Sequence, residues 1–178
     1  INAAYYNLDI LLKELSGSST EVDPEDDSND LSVDGMMATA GSEHKGEPGE
    51  GLAEYAIDNN ESTIWHTSWD GTDMSNMWLD IQLKEADTVT GVRFLQRSGS
   101  QNGRIAKAEI QVKKKGETDY KTVKTSDFNT SGWNIVTFAA EKDVTNVRVQ
   151  PLSTNGGKPD EVNRFASLAE IRILKEAK

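Results

Sequence analysis

The sequence predicts an all-β domain of the sandwich or barrel kind, and three observations predict it. From Ser32 onward apolar residues recur with a period of two. Leu79, Ile81 and Leu83 alternate with Trp78, Asp80 and Gln82, and Val92 and Phe94 alternate with Arg93 and Leu95. Ile110/Val112, Val136/Phe138, Val147/Val149 and Ile171/Ile173 repeat the scheme. Clusters of Gly, Asn, Asp and Ser separate these runs, and no long helical pattern lies between them.

Taken in order, residues 1–15 read as a short helix. Ala4, Tyr5, Leu8, Leu11, Leu12 and Leu15 recur at steps of three and four, and Gly17 is a C-terminal stop. We expect this helix to be left from a preceding region. The first residue is Ile with no charged-then-apolar leader, so the chain is expected to be part of a longer protein. Residues 16–31 are Ser, Asp, Glu and Asn with one Pro and read as an acidic flexible linker. An EF-hand loop beginning at Asp23 fails, because Ser28 stands where Gly is needed and Asp34 where a bidentate Glu is needed. Residues 32–176 form the β domain, with one helical turn expected over 53–58.

Composition excludes several functions. The net charge is −11, and seven acids between Glu21 and Asp34 account for much of it, leaving −4 elsewhere. No basic surface suited to nucleic acid or anionic lipid is evident. No run approaches the roughly 20 apolar residues of a membrane span. Cysteine is absent, which excludes a disulfide scaffold and a thiol nucleophile. His44 and His66 are separated and suggest no zinc triad, and no Gly-x-Ser-x-Gly elbow occurs. The chain is therefore expected not to be an enzyme.

Two segments carry chemistry: Ala56 to Trp69, reading AIDNNESTIWHTSW, and Arg164 to Ile173, reading RFASLAEIRI. Asp58, Asn60 and Thr63 lie within six residues and can curl around one point. Calcium takes six to eight such oxygens, and Glu170 could close the shell. An Asx-turn capped by Thr63, without metal, fits the spacing equally well.

With the Asp-x-Asn-x-x-Thr-x-Trp-His stretch, Arg97 ending the Val92–Arg97 strand, Asn102-Gly103-Arg104-Ile105 and the terminal Phe-Ala-x-x-Ala-Glu-Ile, the sequence resembles the coagulation factor 5/8 type C, or discoidin-like, superfamily. Within it the resemblance is to the family 32 carbohydrate-binding modules of bacterial glycoside hydrolases, over Ser32 to Leu174. It implies a jelly-roll-like antiparallel sandwich with a structural calcium. Its ligands would be Asp58, Thr63 and Glu170, with Tyr55, Asn60 and Ala169 giving mainly carbonyls. Asn59 stands where the family has Gly, and Asn tolerates the left-handed backbone that Gly supplies there.

The resemblance also implies a sugar site. His66 and Arg97 would grip an axial hydroxyl and its neighbour, and Asn102 would add a hydrogen bond. Trp69 and Phe165 are the aromatic residues that could stack on the ring, and Glu50, with Glu47 nearby, would complete the site. As a loop residue Arg97 is expected to be exposed, and Trp65, Trp78 and Trp133 are expected to pack. The implied function is non-catalytic binding of glycans ending in galactose or N-acetylgalactosamine. The module would be a secreted or cell-surface bacterial monomer, covalently linked to a glycoside hydrolase that it targets. The alternative is a discoidin-like adhesion domain for a protein partner. Lipid-binding relatives use apolar loop tips and a disulfide between the domain ends, which this acidic, cysteine-free chain lacks.

Overall fold

The computed structural model describes residues 22–177. The helix expected over 1–15 and residues 16–21 of the linker lie outside them. Nine strands run in chain order: β1 (Met37–Ala40), β2 (Glu50–Gly51), β3 (Ile64–His66), β4 (Leu79–Leu95), β5 (Ile105–Lys114), β6 (Lys121–Asp127), β7 (Trp133–Thr154), β8 (Ser167–Leu168) and β9 (Glu170–Lys175). The helical turn expected at 53–58 is a 3-10 turn at Ala53–Ile57. No helix among the described residues is long and apolar enough to cross a membrane.

The larger sheet runs β1-β4-β7-β5-β6, with β9 also paired to β4. The long strands β4 and β7 bend. Register shifts between Gln82 and Gly91 let Leu79–Gln82 pair with β1, while Gly91–Leu95 pairs with β9. Such bulges turn a strand and raise its twist, so one strand can serve both layers of a sandwich. A small sheet, β2-β3-β8, closes one end, with β2 and β3 parallel and β3 and β8 antiparallel.

The alternation read from the sequence is the core. Leu79, Ile81, Val92, Phe94, Ile110, Val147, Val149, Ile171 and Ile173 are buried together with Trp65 and Leu168. Truncating a buried aromatic such as Trp65 to Ala costs about 3–5 kcal/mol by transfer and cavity terms. Polar residues between them are not all outside, however. Asp80 is buried, accepting from Tyr120 Oη and from Asn146 Nδ2 at 2.8 Å. Arg148 stacks between Trp78 and Tyr120, with its guanidinium 4.0 and 3.8 Å from the two ring centroids.

Arg93 is buried too, because the N-terminal segment covers it. Its Nε donates to Asp30 Oδ1 at 2.8 Å and its Nη2 to Asp30 Oδ2 at 2.5 Å, and its guanidinium lies 4.1 Å from the Trp133 ring centroid. Leu31 N–H donates to Ile173 C=O at 2.8 Å and Lys175 N–H to Asn29 C=O at 2.9 Å. Residues 29–31, read as the end of the linker, therefore dock on β9. The backbone bonds to β9 involve Asn29 and Leu31.

Candidate functional site

β3 places the first residue of the site. Trp65 turns into the core, its indole N–H donating to Ser42 C=O at 3.0 Å, and His66 points to the opposite face. His66 pairs with Ser167 of β8 and is 1% exposed. Its Nδ1 lies 2.6 Å from Thr67 C=O. A carbonyl only accepts, so Nδ1 carries the proton and Nε2 offers a lone pair. Burial holds the His66 pKa below the usual imidazole value, and the nearby Arg97 acts in the same direction. Phe165 flanks the imidazole at 5.5 Å between ring centroids. Phe165 is buried but lies outside the contiguous core that takes in Ala166 and Leu168.

Register brings the charged groups to His66. Parallel pairing of Glu50 with Ile64 sets β2 beside β3. Arg97 lies two residues beyond the end of β4, not at its last position, and its Nη1 sits 3.5 Å from Glu50 Oε1. Glu50 thus lies beside Arg97, while Glu47 C=O accepts from Glu50 N–H in a turn. The Arg97 side chain is 14% exposed, against the exposure expected of a loop arginine, because it packs between Glu50 and the Asn102 turn. Arg97 Nη1 reaches Asn102 C=O at 3.5 Å. Gly103 holds that turn: at φ 79°, any Cβ would come within 2.9 Å of the Ala166–Ser167 backbone. Arg97 Nε and Asn102 Oδ1 are both buried without a hydrogen-bond partner.

Trp69 follows His66 by three residues and is 44% exposed. The imidazole of His44 covers one indole face, with centroids 3.9 Å apart and planes 4° from parallel. His44 N–H donates to His66 C=O at 2.8 Å. Gly51, at φ 121°, admits this strand crossing, because a Cβ there would lie 2.2 Å from His44 C=O. Sequence reasoning missed this contact of His44, because no periodic pattern links it to a residue 25 positions on.

The oxygen-rich loop closes on Glu170. Asn60 N–H donates to Asp58 Oδ1 at 2.9 Å and to Glu170 Oε1 at 2.8 Å. Thr63 Oγ1 is 2.7 Å from Asp58 Oδ2 and 2.8 Å from Asn60 C=O. Asn59 takes the left-handed conformation, φ 60°, expected of it. Glu170 is fully buried, and burial pushes its pKa up to about 7 against the opposing pull of Arg172, with the Asp58 carboxyl adding to the rise. Arg172 binds Glu170 Oε2 and donates to Asn59 Oδ1 at 2.8 Å. Ala169 precedes Glu170, its N–H bonded to Leu95 C=O at 2.9 Å, and Tyr55 Oη accepts from Gly49 N–H at 3.3 Å. No group of three or more His, Cys, Asp or Glu side chains converges among the described residues. The donor set at this loop is two carboxylates plus carbonyl and hydroxyl oxygens, which fits calcium and not a nitrogen- or sulfur-seeking metal.

A family model for the F5/8 type C domain matches residues 37–171. The structure superposes with TM-score 0.71 on CpGH89CBM32-5 from Clostridium perfringens in complex with GalNAc-beta-1,3-galactose, 32% identical, covering 82% of this chain and 99% of that one. It superposes with TM-score 0.68 on the family 32 CBM from C. perfringens NanJ in complex with galactose, 27% identical, covering 82% and 97%. A sialidase of Micromonospora viridifaciens is 28% identical over 126 residues, 70% of this chain but 19% of that protein. The match thus spans about a fifth of that relative's length.

Proposed function

The chain belongs to the F5/8 type C domain family, among its family 32 carbohydrate-binding modules, and from that premise we propose that it binds, without catalysis, glycans ending in galactose or N-acetylgalactosamine. One observation carries the proposal. An acceptor nitrogen (His66 Nε2), a guanidinium (Arg97) and a carboxylate (Glu50) meet beside a buried ring (Phe165), with the exposed Trp69 at their edge. A hexose presents hydroxyls that donate and accept, together with a C–H face. Charged groups read hydroxyl geometry while an aromatic ring covers the C–H patch. The unpaired Arg97 Nε and Asn102 Oδ1 support the same role, since one hydroxyl can satisfy both a donor and an acceptor after a side-chain rotation. The relatives named above were crystallised with galactose and with GalNAc-beta-1,3-galactose.

Calcium held by Asp58, Thr63 and Glu170, with carbonyls of Tyr55, Asn60 and Ala169, would fix the loop that leads into β3. A bound divalent ion supplies charge that lets buried Glu170 and its neighbour Asp58 both stay ionised. The module serves a larger secreted bacterial glycoside hydrolase by holding it at glycan-rich surfaces, raising the effective concentration of the tethered catalytic domain. Few contacts to a chain end imply a Kd of roughly 0.1–1 mM.

Titrating galactose, N-acetylgalactosamine and N-acetylglucosamine into the protein tests this. The first two should bind and the third bind more weakly. Absence of binding by any sugar or extended glycan would put the protein-adhesion alternative in first place.

A further inference from the structure

Arg97 has a second face. A cavity of about 420 Å³ lies against it, lined by Arg97 and Arg104, by Ser98 and Gly99, by Ser131 and by Glu61 at its exposed rim. Glu50 does not line it. Arg104 is anchored there by its backbone bonds: Nε donates to Arg97 C=O at 3.0 Å and Nη1 to Thr130 C=O at 2.7 Å. Arg97 has Glu50 as an ion-pair partner, whereas no carboxylate pairs with Arg104 among the described residues. Two guanidiniums thus share one cavity with a single exposed acid. Their mutual repulsion, added to burial, acts to lower the pKa of Arg97. Such a pair gains from an anion between them. A guanidinium makes short charge-assisted bonds to carboxylate and sulfate oxygens, and a half-enclosed site screens them less than open water.

We propose that this cavity is an anion subsite beside the sugar site, taking a carboxylate or sulfate ester carried by the bound sugar or by the residue next to it. The inference rests on the sugar-binding function above, since Arg97 faces both sites. The overall charge of −11 does not oppose it strongly. Much of that charge lies in residues 21–34, and exposed charges beyond about 8 Å are largely screened at physiological salt. Glu61 is the acid lining the cavity, and Glu50 pairs with Arg97 from outside it.

The test uses the full 178-residue chain. Galactose, galacturonic acid and a galactose sulfate are titrated at about 50 mM and about 500 mM salt. At least one anionic sugar should bind about tenfold tighter than galactose at low salt, and the gain should shrink at high salt. A gain with only one of the two anions supports the subsite and identifies the anion. R104Q should abolish the gain and leave galactose affinity within about twofold. Because Arg104 also anchors two carbonyls, S131D provides a second variant that cancels the cavity's charge without touching those bonds, and it should act alike. Equal binding of neutral and anionic sugars, or a preference that survives both variants, would overturn the subsite and leave the galactose function standing. Binding of the anionic sugars alone would support the subsite and overturn the galactose specificity. Binding of no sugar would overturn both.

Discussion

The imidazole of His44 lies flat on the indole of Trp69, 3.9 Å away and within 4° of parallel. Trp69 is exposed, on a segment beyond the end of β3. His44 itself is fixed by its backbone bond to His66. His44 thus occupies one indole face, and under the proposed function the exposed part of the ring would meet the sugar in an orientation set before binding. Removing that support should cost the ordering of one large side chain, about 0.5–1.5 kcal/mol. H44A should weaken galactose binding about three- to tenfold with an unchanged melting temperature, and H44F should restore it. Isothermal titration of the two variants measures this, and equal affinity for H44A and the parent would refute it.

Arg97 is expected to matter twice. R97A removes charge-assisted hydrogen bonds of about 1.5–3 kcal/mol and should put sugar binding beyond ordinary titration. Because the side chain is mostly buried against Glu50 and Asn102, the fold should lose about 1 kcal/mol as well. Denaturant melts alongside titrations separate the two. Undiminished binding by R97A would place the site elsewhere.

His66 sets the acid limit of binding. Its pKa lies below the ordinary imidazole value because the ring is buried. Nε2 therefore remains an acceptor through neutral pH, and galactose affinity should be flat from about pH 8 to about pH 6.5. Below that it should fall, as protonation turns the acceptor into a donor. Stability shifts in the same direction. Between the lowered folded value and about 6.5 the unfolded chain binds the extra proton, so stability drops as pH falls through that window. Affinity that rises on acidification would contradict the assignment.

Metal removal should be felt by the whole domain. An ion bound only by the folded state adds about 3–4 kcal/mol at saturating metal. Chelation should therefore lower the melting temperature, calcium should restore it, and D58A should abolish the calcium response. Sugar binding should weaken on chelation only indirectly, through the loop leading to His66. A melting curve unchanged after verified metal removal would exclude a structural calcium.

Asp30 tests where the domain begins. Its bidentate pair with Arg93 is nearly enclosed, with side-chain exposures of 14% and 6%. Deleting one partner of such a pair strands the other, so D30A should destabilise the domain by about 3 kcal/mol. A chain cut to start at Ser32 should be destabilised at least as much, since it also loses the backbone bonds of Asn29 and Leu31. Thermal melts at neutral pH decide it. A Ser32 start as stable as the full chain would show that the docked segment contributes nothing.

Much of this protein was legible in the order of its residues because the relevant forces act over short separations. Alternation at i and i+2 assigns one face of each strand to the core, which with the intervening turn clusters implied a sandwich or barrel, and the family resemblance implied the sandwich. The Asp58-to-Thr63 loop needs only six residues to bring its oxygens together, and the left-handed backbone at Asn59 followed from the resemblance, where the family has Gly. Spacing also put His66 and Trp69 near one another. Pairing and bending across the fold settled the remainder. The parallel register of β2 with β3 delivers Glu50, the bulged course of β4 delivers Arg97, and the close approach of Gly103 to Ala166 delivers Asn102. The stacking of His44 on Trp69, the sharing of one cavity by Arg97 and Arg104, and the burial of Arg93 under Asp30 join residues from 7 to 63 positions apart. Such contacts depend on which loops the sheet carries to a common end, and a linear pattern of side chains holds no record of that.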